Sequence, residues 1–217
     1  MEVYRSSHTA EQLERALSGG GGGMTIEDII EGRAPETIVY TGKSIPTYRF
    51  YGWNTIKEVT FTTTDEGKTS SCGQYAFGNC KALKKVSFPT SRKVEGYAFA
   101  YCSALEDVDM PMLEDFSMYM FRDCTALTKL DLPAVTVING AAFNGCKKLT
   151  TLVLRSRSLI SIGTNVFNNT PFYTNGTGGT VYVPQALIEQ YQQATNWSAL
   201  YAAGTCNFVA IEGSEYE

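Results

Sequence analysis

The sequence predicts a solenoid of about six coils, each about 22 residues long, and three observations predict it. One phrase is written four times: YAFGNCKALKKVSFP from Tyr75, YAFAYCSALEDVDMP from Tyr97, YMFRDCTALTKLDLP from Tyr119 and AAFNGCKKLTTLVLR from Ala141. Its apolar letters return every 22 residues, in the columns Phe77, Phe99, Phe121, Phe143; Cys80, Cys102, Cys124, Cys146; and Leu83, Leu105, Leu127, Leu149. Each copy then closes on two apolar residues separated by one, Val86 and Phe88, Val108 and Met110, Leu130 and Leu132, Leu152 and Leu154. That is the period-2 signature of a short strand with one buried face. A unit this short cannot bury its apolar face alone, so neighbouring coils must stack.

The elements follow in chain order. Thr9 and Gln12 form a capping box that opens a helix carrying Leu13, Ala16 and Leu17, so residues 1–18 are expected to be an N-terminal docking helix. Gly19 to Gly23 act as a flexible tether, giving a linker over residues 19–24. Residues 25–44 are expected to cap the first coil, with a short helix bearing Ile26, Ile29 and Ile30 and closed by Gly32 and Pro35.

The solenoid is expected over residues 45–184. Tyr48 to Ile56, followed by Val59 and Phe61, fits the register as an opening coil, with Trp53 in the Cys column. Val166-Phe167 and Val181 to Pro184 fit at the other end if a segment of roughly Asn168 to Thr180 loops out. A further column five residues before the aromatic holds Ile45, Cys72, Val94, Phe116, Ile138 and Ile162, which makes six coils. Each coil is expected to contribute one three-residue parallel strand and a turn or short helical segment, the strands stacking at about 4.8 Å into a continuous sheet. Pro89, Pro111 and Pro133 stop three of them, because proline lacks a donor and fixes φ. Residues 185–217 form the C-terminal cap: a helix from Pro184 through Ala194 with Leu187, Ile188 and Tyr191 facing inward, then Trp197, Tyr201 and a strand at Phe208 to Ile211.

The repeated x-AF-xx-C-xxL-xx-V-x-LP phrase, with an apolar residue before it, resembles the BspA-like leucine-rich repeats of bacterial surface proteins. The tail from Thr170, TPFYTNGTGGTVYVPQALIEQYQQATNWSALY, resembles that family's terminal cap, so the resemblance covers about Ile45 to the C-terminus. It implies a leucine-rich-repeat solenoid used for adhesion or recognition, without implying a ligand. Cysteine stands here where better-known leucine-rich repeats carry the Asn of their ladder.

Composition and residue types narrow the function. A chain of 217 residues with 43% hydrophobic content supports a proper core, and a net charge of −4 offers no basic footprint for nucleic acid. There is no polybasic segment, no stretch of transmembrane length and no signal-peptide pattern at Met1 to Ser18, so direct membrane insertion is not expected. A cell-surface or virion location is suspected, the latter because a docking helix on a Gly tether suits a bacteriophage tail or receptor-binding accessory.

The cysteine columns are read as buried, reduced thiols, because parallel side chains in one interior column have poor disulfide geometry and a spacing of 22 suits no zinc site. The state of Cys72 and Cys206 is left open. The single histidine, His8, lies in the tethered helix, so no Ser-His or Cys-His pair has a base in the folded body, and no enzyme, cofactor or metal is expected. Gly19 to Gly23 and the turn Asn175 to Gly179 lack the Lys and the strand-to-helix context of a phosphate loop.

Lys85, Asp107 and Lys129 occupy one exposed strand site on successive coils and are expected to pair across strands. Asp109 and Asp131 break this pattern as like charges one coil apart, a small acidic patch or weak cation site.

The candidate ligand-binding residues are aromatic: Tyr48, Tyr75, Tyr97 and Tyr119, two residues before the Phe column, with Tyr51 and Tyr101 flanking. Tyrosine supplies rigid contact area with a polar tip, so a surface row suits a protein or glycan receptor. Recurrence at repeat register equally suits a stacked ladder that stabilises the turn, and both readings stand at this point. The sequence therefore points to a non-enzymatic recognition or adhesion module, with a bacterial cell-surface adhesin fragment or a structural assembly scaffold as alternatives.

Overall fold

A computed structural model describes residues 36–64, 72–173 and 178–217. The expected docking helix, the Gly linker and the Ile26 to Ile30 helix lie outside the described residues.

The main strands are β1 (Thr37–Gly42), β2 (Glu58–Thr63), β3 (Lys85–Ser87), β5 (Asp107–Asp109), β7 (Lys129–Leu132), β9 (Thr151–Leu154), β11 (Gly179–Val183) and β12 (Cys206–Ala210). Between them run β4 (Lys93–Val94), β6 (Asp115–Phe116), β8 (Val137–Ile138) and β10 (Ser161–Ile162). All pairings among them are parallel, and each joins an element to its equivalent one coil away. The interior is the predicted one: every member of the four-copy Phe, Cys and Leu columns is fully buried.

Three features depart from the sequence reading. Each of the central coils carries two strands rather than one, because the Val94, Phe116, Ile138 and Ile162 column is itself a parallel ladder, which Ile45 and Cys72 extend as isolated bridges. Thr37–Gly42, expected as part of a capping segment, is a strand in register with β2, its run of β-branched and aromatic residues (Thr37 to Thr41) suiting a half-buried edge. The segment after Asn168 is not simply looped out: Phe172 is fully buried, 4.6 Å from the Phe167 ring. Gly179 makes room for it, since a Cβ there would lie 2.2 Å from the Phe172 ring.

A fourth departure concerns continuity. The main ladder is two sheets, β1-β2-β3-β5 and β12-β11-β9-β7, with no bond joining β5 to β7.

Among the described residues of the repeats no helical segment forms; the Tyr75 to Asn79 stretch and its equivalents are hydrogen-bonded turns. In them Phe50, Phe77, Phe99, Phe121 and Phe143 donate N–H to the carbonyls of Ala76, Ala98, Met120, Ala142 and Val166 of the next coil, at 2.7–3.1 Å. This third ladder requires left-handed backbone at two positions per coil. One is Tyr48, Tyr75, Tyr97, Tyr119, Ala141 and Asn165; the other is Gly52, Asn79, Tyr101, Asp123, Gly145 and Asn169. Gly, Asn and Asp at the second position are the residues that tolerate this conformation best.

The cap is a 3-10 turn (Gln185–Leu187), α1 (Ile188–Gln193), α2 (Trp197–Ala202) and β12. The Ile160 N–H donates to the Tyr191 hydroxyl at 3.1 Å, and the Trp197 Nε1–H donates to the Ile160 carbonyl at 2.8 Å. The Asn196 amide donates to the Ile162 carbonyl at 2.7 Å, covering a group on the outer side of β10. The cap thus satisfies backbone groups that the last coil would leave buried and unpaired. Among the described residues no helix is long and apolar enough to cross a membrane.

Candidate functional site: an aromatic row and its groove

The four tyrosines of the first left-handed column form one stack. Tyr48 and Tyr75 have ring centroids 5.1 Å apart, Tyr75 and Tyr97 4.6 Å, and Tyr97 and Tyr119 4.7 Å, with interplanar angles of 5°, 16° and 13°. All four are half-buried. The interior ring faces are spent on one another, so the row presents edges and hydroxyls outward. Burial first, and neighbouring tyrosinate charge second, hold Tyr51, Tyr75 and Tyr97 above the usual phenol range, so these hydroxyls stay protonated.

The flanking tyrosines join the row from the next turn position. Tyr51 packs edge-on against Tyr48 at 5.6 Å and Tyr75 at 6.1 Å. Gly78 permits this, because a Cβ there would stand 3.0 Å from both the Tyr51 and Tyr75 rings. Arg122 lies over Tyr101 at 5.7 Å and Tyr119 at 5.6 Å, a cation–π bridge between coils. All five candidate tyrosines, Tyr48, Tyr75, Tyr97, Tyr101 and Tyr119, therefore share one surface.

Beside Tyr97 and Tyr119 runs an open groove of about 510 Å³. Its floor is formed at Gly96, whose missing side chain lies against the Met118 carbonyl, and its walls include Met118, Asp115 and Asn139. Met118 is 52% exposed. Asn139 donates to Asp115 at 2.8 Å, and Ser117 donates to the Val94 carbonyl at 2.6 Å. Sequence reasoning passed over Met118, Arg122 and Asn139. A signal existed for Met118: its column otherwise reads Thr47, Gln74, Gly96, Gly140, Thr164, so one large apolar side chain stands among small and polar ones.

The acidic pair is not free to form a cation site. Asp131 accepts a two-pronged contact from Arg155 at 2.8–3.1 Å, and Asp109 accepts from the Ser87 hydroxyl at 2.8 Å. Lys85 pairs with Asp107 at 2.8 Å, as expected, whereas Lys129 lies 5.9 Å from the Tyr216 ring centroid. Among the described residues no group of three or more His, Cys, Asp or Glu side chains is placed to hold a metal ion.

Stacked parallel coils around a Phe–Cys–Leu core, with an aromatic row on the turn face, define a leucine-rich-repeat solenoid. The model of the BspA type leucine rich repeat region matches residues 43–174 in six copies, and the chain belongs to that family. A leucine-rich repeat protein from Bacteroides ovatus is 25% identical over 82% of this chain, with a TM-score of 0.58; this chain spans 43% of its length. A leucine-rich repeat protein of T. pallidum (24% identity; 68% of this chain, 84% of that one; TM-score 0.41) also matches. So does the pneumococcal vaccine antigen PcpA (14% identity; 81% of this chain, 41% of that one; TM-score 0.41). No curated protein sequence matches the chain.

Proposed function

We propose that the protein is a non-enzymatic recognition module that binds a protein or glycan receptor through the tyrosine row and the adjoining groove. The observation carrying this reading is the continuity of five candidate tyrosines with the groove at Tyr97, Tyr119 and exposed Met118. Amphipathic rings with outward hydroxyls, held rigid by stacking, contribute contact area at little entropic cost.

Membership of the BspA type supports an adhesive role at a bacterial surface, and carriage on a phage particle is the alternative setting. Genes for tail or lysis proteins beside the coding sequence would favour the phage particle. Residues 1–18 are assigned to docking or oligomerisation.

The test strips the polar tips while keeping the stack. A Tyr75→Phe, Tyr97→Phe, Tyr119→Phe triple variant is screened beside the parent on a printed glycan array and a cell-surface protein array. The expected outcome is at least about tenfold weaker binding of whatever the parent captures, the loss of several hydrogen bonds of about 1 kcal/mol each. Unchanged capture by a folded triple variant would remove the row from recognition.

One observation favours a structural scaffold as second reading: every interior ring face of the row is used by stacking. In that case neither array responds, and the oligomeric mass falls when residues 1–23 are deleted.

A further inference from the structure

The boundary between the coil carrying Tyr97 and the coil carrying Tyr119 differs, among the described residues, from every other boundary in the solenoid. On the strand side, the N–H groups of Glu106 and Asp107 both donate to the Lys84 carbonyl, and those of Thr150 and Thr151 both donate to the Thr128 carbonyl. Among the described residues no equivalent bond joins Thr128 or Lys129 to Glu106, and β5 and β7 do not pair. Val108, which faces this opening, is half-buried, while Val59, Val86, Leu130, Leu152 and Val181 in the same column are buried.

The same boundary is closed elsewhere. β4 pairs with β6, and the turn ladder continues from Phe99 to Met120 at 3.1 Å and from Tyr101 to Arg122 at 2.7 Å. The coils therefore splay on one side and pivot on the other.

One side-chain choice accounts for the splay. Asp109 and Asp131 would face each other directly if the ladder closed, and like charges directly opposite destabilise a sheet. Each is instead drawn away from the boundary, Asp109 by Ser87 and Asp131 by Arg155. On the turn side the packing is undisturbed: Tyr97 stacks on Tyr119 at 4.7 Å across this boundary, and Phe99 on Phe121 at 5.5 Å.

We infer that this seam is a built-in hinge, held open by the Asp109–Asp131 opposition, about which the four-stranded N-terminal and C-terminal sheets flex with the turn face as pivot. Packed elements with one intact ladder and one open one have a single soft direction, which is the geometry of hinge motion. The groove crosses the seam, with Gly96 and Tyr97 on one side and Asp115 and Tyr119 on the other. Flexing therefore alters its width, a consequence that rests on the binding role proposed above, whereas the hinge itself does not.

The experiment compares two spin-label pairs, each spanning two coil steps on the strand face of the full chain. Lys57→Cys with Glu106→Cys lies within the N-terminal sheet, and Glu106→Cys with Thr150→Cys crosses the seam. All three positions are exposed, and the six native thiols are buried and protonated, so labelling is confined to the introduced cysteines. The seam-crossing pair is expected to give a distance distribution about twofold broader than the other. Adding Asp109→Ser, which copies Ser87 one coil earlier, is expected to narrow it to the width of the control. Equal widths in the two parent pairs, or a seam width unchanged by Asp109→Ser, would overturn the proposal.

Discussion

The Cys102 thiol donates a hydrogen bond to the Phe77 carbonyl of the preceding coil at 3.1 Å. The same bond recurs from Cys80 to Phe50, Cys124 to Phe99 and Cys146 to Phe121, at 3.0–3.2 Å. The column that carries asparagine in better-known leucine-rich repeats is thus a thiol ladder, which ties successive coils while filling the core with small apolar groups. Replacing Cys102 by Ala removes the bond and leaves a small cavity. The expected loss is about 1–3 kcal/mol in denaturant unfolding, with m unchanged.

The same burial governs reactivity and pH response. Desolvation raises the Cys80 thiol from 9.0 to about 12 and the Tyr191 phenol from 10.0 to about 12, and it raises Cys72, Cys102, Cys124 and Cys146 in the same direction. A group whose folded value lies above its unfolded one contributes stability that is complete below the unfolded value and lost as pH rises through the folded one. The melting temperature is therefore expected to hold up to about pH 9 and to fall steadily toward pH 12. Thiol titration at pH 8 should find none of the six cysteines reactive in the folded chain and all six after denaturation.

Trp197 and Tyr191 close the far end by clamping the two backbone groups of Ile160. Trp197→Phe keeps an aromatic ring but leaves the Ile160 carbonyl unpaired in a buried site. Stability is expected to fall by about 1–3 kcal/mol, and hydrogen exchange should rise first at β10 and the coil that bears it.

Tyr97 stacks on two neighbours and Tyr119 on one. With each aromatic pair worth about 0.5–1.5 kcal/mol beyond its area, Tyr97→Ala should destabilise the fold about twice as much as Tyr119→Ala. Thermal unfolding of the two single variants checks the ratio, and equal losses would show that ring-on-ring stacking contributes little.

Much of this was legible in the chain. The period of 22 by itself determined which side chains are interior, because a column of identical apolar residues at repeat register has nowhere else to go once coils stack. It also marked Tyr48, Tyr75, Tyr97, Tyr101 and Tyr119 as one set, and Asp109 and Asp131 as an irregularity. It could not show that the strand column is cut at that irregularity, since whether two carboxylates share a ladder or open it depends on what else reaches them, and Ser87 and Arg155 come from other coils.

The second ladder at Val94 and its equivalents was visible only as an apolar column, because two-residue strands have no period of their own. Thr37–Gly42 was hidden because a first strand has no earlier copy for comparison. The row of tyrosines was written in the sequence. That its rings lie face to face, leaving edges and hydroxyls outward beside a groove floored by Gly96, was decided only by the tertiary structure. A left-handed backbone at each tyrosine and a coil spacing within the range of offset ring stacking together set that orientation, and neither is a property of one repeat read alone.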